Sequence, residues 1–158
     1  MDLTFQTPEG RFNYRVCAVI LYEDRLLVMQ DERSPYYYLP GGRVTLHETV
    51  ENAILRELRE ELEINAEIVR PLWLSQSFFE EDVSHQRYHE ICLYYLMDIS
   101  KTDLLEKGGQ FVLQERHHVH RFRWLPLEQL EGEYLYPLFI KERIFDLPSQ
   151  LTLLTEFE

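Results

Sequence analysis

Glu57, Glu60 and Glu61 fall within a stretch of good helix formers, just after the pair Gly41-Gly42. Glu57 precedes the other two by three and four residues, separations at which like charges on a helix face one another and repel. A divalent cation turns that repulsion into ligation. Magnesium takes hard oxygen ligands in near-octahedral geometry and commonly combines one or two carboxylates with water and substrate phosphates. The cluster therefore predicts a Mg2+-dependent diphosphate site, with Mn2+ able to substitute. Lacking Cβ atoms, Gly41 and Gly42 let the backbone approach a ligand closely, so both are candidate substrate contacts and the Gly41 carbonyl is a further candidate metal ligand. Arg56 is placed to pair with Glu48 through a charge-assisted bond and to hold the geometry of the site.

A helix must carry these groups. Thr45 with Glu48 has capping-box spacing, and Thr49 is a second candidate cap. From Thr49 to about Glu63, Val50, Ile54, Leu55, Leu58 and Leu62 fall on one broad face at about 100° per residue. Glu57 and Glu60 border that face, whereas Glu61 projects into it and needs a partner there. Glu51 also projects into the apolar sector, near its far edge. Ahead of the helix, Tyr14–Tyr22 reads as a buried central strand, Glu23-Asp24 as a turn, Arg25–Met29 as its hairpin partner, and Tyr36–Leu39 as a short strand broken by Pro40-Gly41-Gly42. Behind it, Ala66–Phe79, Arg87–Met97 and Arg121–Leu125 are strand candidates, Pro126–Leu130 a short helical turn, and Tyr134–Leu147 a final amphipathic helix. Glu80–Gln86 and Lys107–His118 read as loops. This order implies α/β layers with helices on both faces of a mixed sheet.

The spacing from Gly42 through Glu48 to Arg56-Glu57-Leu58-Arg59-Glu60-Glu61, closed by Ile64, resembles the box of the Nudix hydrolase family over 23 positions. Leu39-Pro40-Gly41-Gly42 and Arg123–Leu127 are similar to the segments that flank that box. Two positions depart from it: Glu63 stands where the pattern has glycine, and His47 where glycine is common. Glu63 either adopts a left-handed cap at a cost or prolongs the helix, and His47 reads as neutral variation. The resemblance implies an α/β/α sandwich with a mixed sheet, a single domain over residues 1–158, and hydrolysis of the diphosphate linkage of a nucleoside diphosphate joined to another group. By position it assigns metal binding to Glu57, Glu60 and Glu61. Glu57 is also a candidate base, in competition with Glu80, Glu81, Asp82 and Glu115. A nucleotide-sensing module without turnover and an isomerase on the same fold are the alternatives.

Composition narrows the partners. The 158 residues carry a net charge of −12, which opposes tracking a long nucleic-acid backbone because such binding relies on Lys and Arg neutralising phosphates. A small phosphorylated ligand stays compatible, since a metal supplies the positive charge locally. No apolar run approaches the roughly 20 residues of a membrane span, and the chain reads as soluble and cytoplasmic. Cys17 and Cys92 lie singly in apolar segments and read as buried thiols. The histidines at 85, 89, 117, 118 and 120 lack structural-zinc spacing. Phe78, Phe79, Tyr88 and Trp73 are aromatic candidates for stacking on a base, with core packing the plainer reading; of these, Phe79 is a candidate substrate contact together with Glu115. Leu151, Leu153, Leu154 and Phe157 read as exposed apolar residues available to a homodimer interface.

Overall fold

Along Val16–Val19 successive side chains enter two different cores: Val16 and Ala18 join one apolar cluster, Cys17 and Val19 the other. A strand buried on both faces must lie between two layers. The computed structural model describes Met1–Glu158 and places that strand at the centre of the molecule. Its strands are β1 (Thr4–Thr7), β2 (Gly10–Val19), β3 (Leu21–Tyr22), β4 (Arg25–Asp31), β5 (Gly41–Arg43), β6 (Glu67–Glu80), β7 (Arg87–Asp98), β8 (Gln110–Glu115), β9 (His118–Pro126) and β10 (Thr152–Phe157). Its helices are α1 (Val50–Leu62) and α2 (Ile140–Arg143), with 3-10 turns at Leu104–Lys107 and Leu127–Gly132.

One sheet runs β1-β2-β7-β6-β10 with β5 added beside β2, and the other runs β3-β4-β9-β8. The first is mixed: β2 pairs β7 and β10 pairs β6 in parallel, while β6 and β7 are antiparallel. Helix α1 covers one face through Ala53, Ile54, Leu58 and Leu62, packed with Val16, Ala18, Met29 and Phe122. Leu130, Phe139 and Ile140 cover the other face, packed with Cys17, Val28, Trp73 and Tyr94. The layering is the expected mixed α/β sandwich. Each fully buried Leu or Ile of α1 contributes roughly 1.5–3 kcal/mol, so tertiary packing secures a helix that is marginal at this length in water.

Both ends of α1 have identifiable caps. Thr49 accepts the Asn52 N–H at 3.1 Å, so Thr49 caps the helix and the Thr45–Glu48 pair does not. Glu63 ends it in the left-handed region at φ 58°, ψ 36°, with its N–H bonded to the Arg59 carbonyl. It does not prolong the helix. His47 is also left-handed, at φ 69°, so it is not a neutral replacement: a side chain there costs about 1 kcal/mol relative to glycine.

Five further expectations are corrected, the last being the exposure of Leu154. Tyr36–Leu39 forms only isolated bridges, through Tyr37 with Leu135 and Tyr38 with Met29, and the strand is β5, in the segment expected to break it. The glycines allow this, because a Cβ at Gly41 would lie 2.2 Å from the Val16 carbonyl oxygen. The segment Tyr14–Tyr22 is divided at Ile20, where the chain leaves the first sheet for the β3–β4 hairpin of the second; Glu23 and Asp24 make its turn with φ 47° and 58°, as a tight two-residue hairpin requires. Part of the Lys107–His118 loop is β8, whose Phe111 and Leu113 pack on the α1 core. The final helix shortens to α2, because Leu135 is drawn into a bridge with Tyr37. Beyond it β10 pairs with β6 and buries Leu154, leaving Leu151, Leu153 and Phe157 exposed.

Candidate active site

Three elements meet at the carboxylates. Strand β5 lies against β2 with Gly41 opposite Cys17, Gly42 opposite Val16 and Arg43 opposite Arg15, and α1 crosses above it. The close approach explains the glycine pair. A Cβ on Gly42 would stand 2.3 Å from Glu57 Oε1, and the Gly41 N–H donates to Glu61 Oε1 at 2.9 Å. Glu61 is only 6% exposed, inside the apolar face of α1 as its wheel position requires.

Arg56 organises the outer part of the site. Its Nε and Nη2 donate to the two Glu48 oxygens at 2.8 and 2.9 Å, a bidentate pair. Its Nη1 donates to Glu57 Oε1 at 2.8 Å and to Glu60 Oε2 at 3.3 Å, and Nη2 also reaches the Arg43 carbonyl. Glu48 further accepts from the Thr45 N–H and hydroxyl. These bonds, led by Arg56, hold the Glu48 carboxyl down to about 2.

The inner carboxylates behave oppositely. Burial pushes Glu57 up to about 7 against the pull of Arg56, with Glu60 adding repulsion. Burial also raises Glu61 well above the usual range, and the charge of Glu57 raises it further. No three acidic, histidine or cysteine side chains converge into a preformed metal cage: Glu61 turns toward Gly41, Glu57 is held by Arg56, and Glu60 is half exposed. The donor set nevertheless suits a hard divalent cation. Its oxygens are carboxylate oxygens, and two of its charges are buried without full compensation.

Among the other sequence candidates, Glu115 ends β8 close enough to add to the proton affinity of Glu61. Glu80, Glu81 and Asp82 instead line a cavity of about 340 Å³, together with Phe79. There Glu81 accepts from the Tyr36 hydroxyl at 2.6 Å, and Asp82 from Tyr136 at 2.8 Å and from Tyr134. Trp73 is core, 1% exposed, Tyr88 stacks on Phe79, and Phe78 packs on His89. Both cysteines are buried and free. Sequence reasoning missed Arg15 and Glu90, which line the same cavity. Each is a charged residue bordering the apolar run of its strand, Arg15 before Val16–Val19 and Glu90 before Ile91–Met97, and that position was the available signal.

The NUDIX domain family model matches residues 11–144. The chain belongs to the Nudix hydrolase family. Members of this family generally use divalent metal ions. No curated protein matches the chain. Among solved structures, the E. coli ORF135 protein is 24% identical, with a TM-score of 0.52 over 82% of this chain and 84% of that one. A UDP-X diphosphatase is 20% identical, with a TM-score of 0.59 over 94% of this chain and 68% of the other. An ADP-ribose pyrophosphatase from Streptococcus suis is 18% identical, with a TM-score of 0.54 over 92% and 98%. At these identities the likeness is one of fold. No helix of this Nudix chain is long and apolar enough to cross a membrane.

Proposed function

We propose that the chain hydrolyses the diphosphate linkage of a nucleoside diphosphate joined to a second group, with Mg2+ held by Glu57, Glu60, Glu61 and the Gly41 carbonyl. The observation that carries this reading is the seating of two buried, repelling carboxylates, Glu57 and Glu61, against the glycine strand β5. Structures with the same fold include a UDP-X diphosphatase and an ADP-ribose pyrophosphatase, which supports the substrate class. When bound, the metal neutralises charge on the diphosphate and makes a coordinated water more acidic. The protein's own part is positional, as phosphoryl transfer requires little else. Glu48 fixes Arg56, Arg56 fixes Glu57 and Glu60, and the Gly41 N–H fixes Glu61. Glu57, deep in the site, takes the proton of the attacking water, with Glu115 as the competing base.

We assign this activity to one domain over residues 1–158, because β1 and β10, outside the family match, complete the same sheet. A homodimer through the exposed Leu151 and, on the β10 edge, Leu153 and Phe157 is tested by sedimentation. The activity is tested with Mg2+ and a panel of nucleoside triphosphates, sugar nucleotides, ADP-ribose and dinucleoside polyphosphates, a coupled phosphatase releasing phosphate from the monoester products. Turnover that EDTA abolishes is the expected result. Saturable binding with no turnover across the panel would overturn it in favour of a sensing module.

A further inference from the structure

Arg15 of β2 and Glu90 of β7 lie on the wall of the cavity beside the box. They are diagonal neighbours across the β2–β7 pair, where Asn13 opposes Glu90 and Arg15 opposes Cys92. The charge of Glu90 acts on Arg15, yet Arg15 makes no ion pair and no side-chain hydrogen bond. Glu90 is 8% exposed, and its carboxylate receives one long bond, from Asn13 Nδ2 to Oε2 at 3.4 Å. Its Oε1 has no donor. Neither group is sealed from the cavity, since His120 Nδ1 is the one buried side-chain polar atom without a partner, so the free Glu90 oxygen and the Arg15 guanidinium stay open to a ligand.

The remaining charge on the wall is negative. Arg33 is committed to Asp31 at 2.7 Å, so Arg15 is the guanidinium left for a ligand, on a lining it shares with Glu80, Glu81, Asp82, Glu90 and Glu158. Arg15 also stands toward the box. It opposes Arg43 of β5, and its charge favours the ionised forms of Glu57 and Glu61. The cavity thus has one cation near the carboxylate helix and an acceptor-rich remainder lined by the rings of Tyr36 and Phe79.

We propose that this cavity selects nucleoside diphosphate compounds whose entering end is uncharged and rich in hydroxyl or amino donors. Arg15 grips a non-bridging phosphate oxygen, Glu90 accepts from the end group, and an end bearing an extra phosphate or carboxylate is rejected. The inference rests on the diphosphate reading above and adds the chemistry of the end group. Rejection follows because an added anion meets carboxylates in a partly desolvated space, where like charges are least screened.

Two matched pairs test it: UDP-glucose against UDP-glucuronate, and ADP-ribose against ADP-ribose 2′-phosphate, which place the added anion at opposite ends of the compound. Dissociation constants are measured by calorimetry in EDTA, where turnover is absent, and kcat/KM is measured with Mg2+. We expect the neutral member to be favoured by at least about tenfold in the pair whose charged end enters the cavity. Glu90→Gln narrows that ratio to roughly threefold, while Arg15→Met weakens both members by a similar factor and leaves the ratio in place. Parity in both pairs for the unaltered protein, or a ratio that Glu90→Gln does not move, overturns the inference. Binding preference without hydrolysis of any compound removes the hydrolase reading and leaves this one standing. Hydrolysis without preference does the reverse.

Discussion

Glu48 and Glu61 lie in the same box, yet their surroundings drive them in opposite directions. Glu48 sits in a fork of Arg56 with two further donors from Thr45, and its carboxyl is held down to about 2. Glu61 has the Gly41 N–H and an apolar surround, with Glu57 close by, and its proton affinity is driven well above normal. The outer carboxylate is structurally satisfied, whereas the inner ones have too few partners: Glu57 shares one Arg56 nitrogen with Glu60, and Glu61 has only the Gly41 N–H. That difference separates a scaffold from a site, because uncompensated buried charge is useful only where a ligand completes it.

The largest test of this contrast is Glu61→Gln. It keeps an acceptor for the Gly41 N–H and removes the charge, so turnover is expected to fall roughly 10³-fold, about 4 kcal/mol of transition-state stabilisation. Metal-free stability is expected to rise. Steady-state kinetics and urea unfolding in EDTA measure both, and a rate near that of the unaltered protein at saturating Mg2+ contradicts the assignment.

A pH series follows in size. Glu57 binds its proton more tightly folded, about 7, than at its ordinary 4.5. Its contribution to metal-free stability is full below the ordinary value and is lost as pH rises through about 7, on the order of 3 kcal/mol. Glu48 has the opposite sign. Its contribution is present above the ordinary value and disappears as pH falls toward about 2. Denaturant unfolding from pH 2 to 8 in EDTA should give a maximum between the two regimes, and a flat profile from pH 5 to 8 removes the contrast.

Arg56→Met strands Glu48 and Glu57 together and should cost about 2–3 kcal/mol of stability at neutral pH, less than for a fully buried pair because the site is partly hydrated. Arg56→Lys should recover only part of this, since an ammonium lacks the planar fork. Smallest is Glu63→Gly, which relieves the left-handed cap at φ 58°. It should raise stability by about 1 kcal/mol with kcat unchanged. A loss of stability would show that Glu63 makes a compensating interaction.

The box was legible in the chain itself because everything defining it is local. Helical periodicity, two candidate caps, the carboxylate spacing and the glycine pair are properties of 23 consecutive residues, and the central strand and the burial of both cysteines were legible from equally local apolar runs. Less was legible where pairing partners lie far apart. Strand β10 is specified by a parallel alignment with β6 some 80 residues earlier, and Leu154 looked like a surface residue until that partner covered it. Strand β5 shows the same limit at short range. Pro40-Gly41-Gly42 has the composition of a turn, and only the proximity of β2 makes the missing Cβ atoms a reason for pairing.

The sequence alone determined the helix and the carboxylates it presents, because those depend on residues within a few turns of one another, while the structure chose Thr49 over Thr45 as its cap. Tertiary structure decided which carboxylates are satisfied and which are not. It set Glu48 in the Arg56 fork, enclosed Glu61 between α1 and β5, and brought Arg15 and Glu90 from separate strands to one cavity wall. Charge alone does not fix proton affinity or ligand preference: those follow from burial and from neighbours distant in the chain, which come together only when the sheet forms.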